Sequence, residues 1–275
     1  MAPSPQLDAL IHPKERRYYA LLVVVSVVVY ALLVLTAVSS VESVGAIAMY
    51  GVIFAVAFFM THGLMIGRLR ANGVRASERQ LASLYAVAKR HAATLGLESM
   101  PDVFVIQAGG ALNAFATRFL GRDFVVVYSD VLAMAEQRGE AAVGFIVAHE
   151  LAHVKRGHLR RRWLTLPGRF VPYLGAAYSR ACEYTCDRIG AHCQPDGGVS
   201  GLLALAAGPV LFQQVDAREY ARQAERETGF FVRRSELMAS HPHLTKRVAA
   251  LLEHGAPVPA YTPVADLAAR STAAR

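Results

Sequence analysis

Two long uncharged stretches near the N-terminus constrain this chain more than any other feature. Residues 18–38 read YYALLVVVSVVVYALLVLTAV, and residues 44–67 form a second apolar run after the short connection SSVES. A helix rises about 1.5 Å per residue, so roughly 20 residues cross a hydrocarbon core about 30 Å thick. The alternatives are a cleaved signal peptide and two buried core helices, but a second apolar run directly after a long first one is not typical of a signal peptide. The sequence therefore predicts a transmembrane hairpin over residues 18–67.

Basic residues flank the hairpin at its two outer ends. Three lie between residues 14 and 17 and four between residues 68 and 79, whereas the connecting loop has Glu42 as its only charge. Because cytoplasmic flanks carry an excess of Lys and Arg, both termini and the C-terminal domain are expected in the cytoplasm. Arginine outnumbers lysine and alanine is abundant, as in GC-rich bacterial genomes. The expected location is therefore a bacterial plasma membrane, crossed more than once.

Composition limits the possible partners. The formal net charge is +8, yet charged residues make up 18% of the chain, below the roughly 25% of ordinary soluble domains. No nucleic-acid motif is present, and no aromatic residues alternate with basic ones as in a stacking groove, so nucleic acid is not an expected partner. The three cysteines, Cys182, Cys186 and Cys193, are an odd number in one short stretch. That pattern is typical of reduced thiols in a cytosol-facing domain.

The rest of the chain predicts a domain of helices with a small sheet over residues 76–255. Strands are expected at 102–107 and 123–129, with Gly121 as a turn, and they suggest a small antiparallel sheet. A central helix is expected over 138–158.

Two later apolar segments, 163–178 and 201–212, are too short and too interrupted by proline to predict further spans. A buried or membrane-grazing position is expected for the first of them. Residues 1–17 are expected to be a cytoplasmic N-terminal segment, and the Pro- and Ala-rich residues 256–275 a disordered tail.

The central helix contains the sequence HELAH, which places His149, Glu150 and His153 in five positions. Positions i and i+4 share one helix face, so the two imidazoles can converge on one ion. Glu150 lies about 100° round the helix from His149, where a carboxylate can take a proton from water bound to the ion. The alternative is a helix with incidental histidines. The apolar residues on both sides weaken it, because buried polar groups need partners or an ion.

A third ligand is expected from another element, since hydrolytic zinc sites use three protein ligands and one open position. Glu183 lies 30 residues after His153, and Asp187 follows it at i+4. The first could ligate and the second could hydrogen-bond a ligand histidine. Cys182 and Cys186 are competing ligands, but a thiolate-rich set more often marks a structural or redox site. An exposed carboxylate pair on a solvated helix remains an alternative.

Three motifs in order now resemble a known family. HELAHVKRGH at 149–158, SRACEYTCDRIGA at 179–191 and SHPHLTKR at 240–247 resemble the HtpX-like and CaaX-prenyl-endopeptidase family of membrane-associated zinc metallopeptidases. The resemblance covers roughly residues 77–253. It implies an α+β, mainly helical, zincin-like domain of the gluzincin type, preceded here by the two-helix hairpin.

The resemblance also implies roles for individual residues. One zinc ion per chain would be held by His149, His153 and Glu183, with Glu150 as the general base and Asp187 supporting a zinc-bound histidine. The HtpX type itself has further spans between the central helix and the helix of the third ligand, whereas here only about 30 residues separate them. It usually has alanine at the position of Cys186, so this thiol could make the pocket sensitive to oxidation.

Two more segments carry roles implied by the resemblance. His241 would act near the transition state, where an imidazole could donate to the developing oxyanion, and Arg247 could orient it or hold a carboxylate. The alternative is a helix start with Pro242 in its first turn. The segment LNAFAT, residues 112–117, resembles the substrate-lining segment of the family, so Asn113 is expected to contact the substrate backbone.

These observations predict a membrane-anchored zinc endopeptidase that acts on polypeptides, with quality control of misfolded membrane proteins as the favoured role. The alternatives are a non-catalytic zinc-containing membrane scaffold, a zinc hydrolase of non-peptide bonds and a prenyl-protein protease. Glu150 argues against the scaffold, because a purely structural site needs no base. Two spans are too few for the membrane chamber of a prenyl-protein protease. His158 and His243 have no predicted role.

Overall fold

The structure is a computed structural model that describes residues 5–107, 109, 113–136 and 139–261. Its helices are α1 Pro5–Ala9, α2 Pro13–Ser39, α3 Val41–Asn72, α4 Ala82–Thr94, α5 Ser129–Glu136, α6 Glu140–Lys155, α7 Leu166–Arg169, α8 Leu174–Cys193, α9 Gly198–Leu211, α10 Ala217–Arg226, α11 Phe230–Met238 and α12 Leu244–Glu253. Its strands are β1 Val74–Arg75, β2 Asp102–Ile106, β3 Ala114–Phe119 and β4 Arg122–Tyr128. The fold is mainly helical with one small sheet, as predicted; most of the expected tail lies outside the described residues.

Helices α2 and α3 form the predicted hairpin. They meet at Ser40, whose side-chain oxygen accepts the Ser43 amide hydrogen at 3.1 Å and caps α3. Both helices are long and apolar enough to cross a membrane, and so is a third stretch, Pro195–Gln214. That third stretch includes the 201–212 segment for which no span was predicted. Nearly half of its apolar window is buried inside the protein, so packing in the domain core accounts for its composition.

The sheet is mixed rather than antiparallel, with strand order β1-β2-β4-β3. The two predicted strands, β2 and β4, pair in parallel, with Val103 opposite Val125. The prediction was wrong on this point because residues 114–119 form a strand of their own. This strand, β3, makes the antiparallel hairpin with β4, turning at Leu120 and Gly121, which both have positive φ. β3 is consequently an edge strand.

Helix α6 is the centre of the domain. Nearly every residue from Ala142 to Ala152 is buried, and α6 packs against α4, α8, α9 and the sheet. It ends at Lys155 because Gly157, at φ +69°, turns the chain out of the helix. The amides of Gly157 and His158 bond back to the carbonyls of Val154 and His153, the pattern of a Schellman motif. The helix is thus shorter than the predicted 138–158, and His158 lies beyond its end.

Candidate metal centre

Helix α6 presents His149 and His153 on one face, one turn apart. Their Nε2 atoms are 3.3 Å from each other, and both rings point toward α8. Both side chains are largely buried, with 7% and 17% of their surface exposed.

Helix α8 supplies a carboxylate to the same point. The Glu183 oxygens lie 3.5 Å from the Nε2 of His149 and 3.3 Å from that of His153. One ligand atom from each residue falls within 4.8 Å of the other two, so the group could hold a metal ion. The structure thus brings together the three residues that the sequence predicted as ligands.

Asp187 and Arg247 lie behind this group. Asp187 Oδ1 is 3.0 Å from the Nδ1 of His149. The buried guanidinium of Arg247 donates to both oxygens of Asp187, at 2.8 and 2.6 Å, and lies 3.1 Å from Glu183 Oε2. The fork geometry of arginine therefore fixes both carboxylates at once. Arg247 holds carboxylates, which is one of the two roles considered for it.

The buried carboxylates of the site outnumber its buried basic groups. Glu150, Glu183 and Asp187 are each at most 9% exposed, and Arg247 is the basic residue buried among them. Burial alone lowers the pKa of His149, but the Asp187 and Glu183 carboxylates raise it to about 10. Burial alone raises the pKa of Glu183, but Arg247 and the two histidines hold it well below its usual range. A centre of this kind favours an added positive charge.

A cleft of about 200 Å³ opens onto the group, between β3, α6 and α12. Glu150 and Asn113 line it, as do His241 and Arg247. Asn113 is exposed, and its side-chain oxygen accepts the Ala114 amide hydrogen at 2.9 Å. His241 is two-thirds exposed, with its Nε2 3.6 Å from Glu183 Oε1.

The cysteines are free thiols. Burial raises the pKa of Cys182 and of Cys186, which disfavours the thiolate that binds zinc. Cys186 Sγ lies 3.9 Å from His158 Nδ1, so it packs beside the group. Within the part of the chain that the structure describes, two further sets could hold an ion by proximity, His153–His158–Cys186 and Glu15–His158–Cys182, but each needs one of these protonated thiols.

One cluster was missed by sequence reasoning. His158 is buried, with its Nδ1 3.0 Å from the Nδ1 of His153 and its Nε2 3.3 Å from Glu15 Oε1. Arg156 donates to the same Glu15 oxygen at 2.9 and 3.3 Å. The order His153, Gly157, His158 could have predicted this contact. A glycine four residues after His153 ends the helix, and the side chain that follows it then packs against the last turn.

A helical domain with a small sheet and a buried His–His–Glu group beside an edge strand is the arrangement of a metallopeptidase. The family model described as "Peptidase family M48" matches residues 78–168 and 166–254, well over half of the chain. The chain therefore belongs to peptidase family M48, a family of zinc metallopeptidases that includes HtpX-like members. A search of curated proteins and a search of solved structures found no match.

Proposed function

We propose that this metallopeptidase is a membrane-anchored zinc endopeptidase in which His149, His153 and Glu183 hold one zinc ion and Glu150 is the general base. The observation that carries the proposal is the convergence of three ligand atoms within 4.8 Å, from residues that are buried or largely buried, in a cleft that Glu150 also lines.

The residues present fit zinc in ligand type and in charge. Two imidazoles and one carboxylate are the ligands of many hydrolytic zinc sites. Three buried carboxylates face one buried guanidinium, and burying unpaired charge is costly. A divalent cation supplies the missing positive charge.

Zinc, when bound, polarises a carbonyl and makes water acidic enough to attack near neutral pH. Glu150 takes the proton of the attacking water on its carboxylate and delivers it to the departing amine. Asp187 holds the His149 ring in place from its Nδ1 side, and His241 donates toward the oxygen that becomes negative. A substrate in extended form pairs with the free edge of β3 near Asn113, adding a strand to the sheet.

The proposed anchor is the hairpin of α2 and α3, with residues 76–255 as a cytoplasmic catalytic domain. The support is the long apolar character of both helices and the basic residues that flank them. Polypeptides at the membrane, misfolded membrane proteins among them, are the proposed substrates.

The test is cleavage of an unfolded model protein by the full chain in detergent, beside Glu150→Gln, with zinc content measured on both. We expect both to bind about one zinc and the variant to lose roughly 10²- to 10⁴-fold in rate. If wild type and Glu150→Gln both bind zinc and cleave the substrate equally fast, Glu150 is not the base. Zinc on both with no cleavage by either would favour the scaffold, and no zinc on either would overturn the metal centre.

A further inference from the structure

The segment between α6 and α8 lies against the apolar hairpin. The Tyr30 hydroxyl donates to the Trp163 carbonyl at 2.8 Å, and the Gly168 amide donates to Ser26 Oγ at 2.9 Å. A Cβ on Gly168 would lie 2.8 Å from the Leu22 carbonyl oxygen, so only glycine permits this approach. Residues 163–168 are therefore held beside α2 between Leu22 and Tyr30.

This part of α2 is expected to be inside the membrane. The apolar run begins at Tyr18, and Leu22 to Tyr30 follow it by roughly 6 to 18 Å along the helix axis. If the membrane surface lay beyond Tyr30, residues 31–39 would leave only about 14 Å of α2, less than half of the roughly 30 Å core. The outward side chains agree, since Val24 is 59% exposed and Val28 52%.

The segment itself presents apolar side chains outward. We name Trp163, Leu164, Phe170, Val171 and Leu120 the apolar collar; their exposed fractions run from 38% for Val171 to 77% for Phe170. Leu120, at the turn between β3 and β4, lines the same cavity as Trp163. Exposed apolar surface that continues an apolar hairpin is typical of contact with lipid.

Basic residues border the collar. Arg160, Arg161 and Arg162 are exposed and directly precede Trp163, and the Arg161 guanidinium lies 5.1 Å from the centre of the Tyr19 ring. Arginine beside an aromatic residue at the start of a span is suited to the lipid headgroup level.

We propose that the apolar collar is inserted in the hydrocarbon of the leaflet nearest the catalytic domain, with the guanidinium groups of Arg160–Arg162 extending toward its headgroups. The proposal rests on the membrane anchoring proposed above. Its consequence is that β3 runs from the membrane at Leu120 to the cleft at Ala114. Substrate paired with β3 is then cut close to the membrane surface.

Trp163 is the single tryptophan of the chain, so quenching of its fluorescence reports the position of the collar. In vesicles of phosphatidylcholine brominated in the upper acyl chain, we expect Trp163 to lose most of its emission, while aqueous iodide quenches it weakly. A second protein, Trp163→Phe with Leu33→Trp, reports the hairpin alone. Quenching of Leu33→Trp by bromolipid without quenching of Trp163 would overturn the collar and leave the anchor intact. Absence of bromolipid quenching in both would overturn the anchor as well.

A separate observation concerns the ligand His153. The Schellman motif that ends α6 places the residue after Gly157 against the last turn of the helix. That contact is usually apolar, but here it joins His158 Nδ1 to His153 Nδ1 at 3.0 Å.

The proposed role of His153 as a zinc ligand determines which histidine donates in this hydrogen bond. If His153 uses Nε2 for the metal, its Nδ1 carries the hydrogen and donates it to His158 Nδ1. His158 must then be protonated on Nε2, which faces Glu15 Oε1 at 3.3 Å. The series Glu15–His158–His153 thus ends at the atom that would bind the ion.

Glu15 comes from the first turn of α2, outside the residues that the family model matches. It is 2% exposed, and Arg156 pairs with it. The chain just before it is held by the His12 amide, which donates to Thr185 Oγ1 at 3.0 Å. Burying a carboxylate to this extent costs free energy unless hydrogen bonds and opposite charges compensate it.

We infer that His158 and Glu15 are positioning residues for the zinc ligand His153. Partners of this kind fix the ring and the tautomer of a ligand histidine. The inference rests on the proposed zinc site, so its test includes the metal itself as well as activity.

The test measures zinc affinity by chelator competition, and the visible spectrum of the Co²⁺ form, on the full chain in detergent. We expect His158→Leu to weaken zinc binding roughly 10- to 100-fold and to shift the Co²⁺ bands. His158→Gln should restore most of both, because its amide can accept from His153 and donate to Glu15. Equal behaviour of the two variants would overturn the inference.

Two further variants separate positioning from folding. His91→Leu changes a buried histidine that is not among the groups that could hold a metal, and it should leave the Co²⁺ spectrum unchanged. If His158→Leu does not fold, Glu15→Gln carries the test, since it removes a charge without changing shape. Weaker zinc binding by Glu15→Gln supports the inference, and unchanged affinity and spectrum overturn it. If even wild type binds no zinc, the proposed zinc site is overturned and this inference with it, whereas zinc binding by wild type that the variants leave unchanged overturns the inference alone.

Discussion

The two proposed histidine ligands are supported from opposite sides by different chemistry. Behind His149 lies Asp187, clamped by Arg247, which we call the carboxylate arm. Behind His153 lies His158 and then Glu15, which we call the histidine arm. The carboxylate arm comes from α8 and α12, within the residues that the family model matches, whereas the histidine arm ends in α2, the first helix of the proposed membrane anchor. The domain matched by the family model and the proposed anchor therefore meet at the candidate metal centre.

We expect the largest effect when Arg247, which holds the two carboxylates of the carboxylate arm, is replaced. Arg247→Met leaves Glu183 and Asp187 buried without their guanidinium, so we expect a loss of about 3–5 kcal/mol in the free energy of unfolding. Urea unfolding of the metal-free protein in detergent measures it. Arg247→Lys should lose less, because it keeps the charge but not the fork. A loss below about 1 kcal/mol for Arg247→Met would mean that water reaches the carboxylates.

Asp187→Asn sharpens the comparison between the arms. We expect zinc affinity to fall roughly 10- to 100-fold, the same range as for His158→Leu, because each change removes the partner of one ligand. Chelator competition on both single variants and on the double variant measures whether the arms are independent. Independent arms give free-energy losses that add within about 0.5 kcal/mol; a double variant no weaker than one single variant would show that they act as one unit.

His91 is a buried histidine outside the candidate metal centre, and it serves as a comparison for His149 and His153. It is 1% exposed, and its Nε2 has no hydrogen-bond partner among the described residues. Burial, and then the charge of Arg90, lower its pKa from 6.5 to about 4. The unfolded chain therefore takes up a proton that the folded one refuses, so stability falls as the pH drops from 6.5 toward 4. Unfolding of His91→Leu across this range should show a smaller decline than wild type; an identical decline would contradict the assignment.

We expect the smallest effect on the free energy of unfolding from an exposed group of ion pairs. Glu219 on α10 pairs with Arg222 and Arg226, but all three side chains are about half exposed or more. We expect Glu219→Gln to change the free energy of unfolding by less than about 1 kcal/mol. A loss comparable to that of Arg247→Met would show that burial is not what separates these sites.

Sequence reasoning placed together those residues of the candidate site whose arrangement depends on local helix geometry. The pairs His149–His153 and Glu183–Asp187 could be placed on shared faces because four-residue spacing needs no knowledge of the fold. It failed where the chain departs from a regular element: His158 was assigned no role because the helix was assumed to continue past Gly157. The burial of Glu15 could not be predicted either. Its neighbours read as flanking charges of a span, and only the packing of α2 against α8 brings it inside.

The spread of the site along the chain has a consequence for synthesis on the ribosome. The HELAH segment is made about a hundred residues before Arg247, and Glu15 is made long before both. Until α12 folds back, Glu183 and Asp187 lack the charge of Arg247, and until α2 docks, His158 lacks Glu15. The candidate centre is therefore complete only once α12 has been made and has packed against α8.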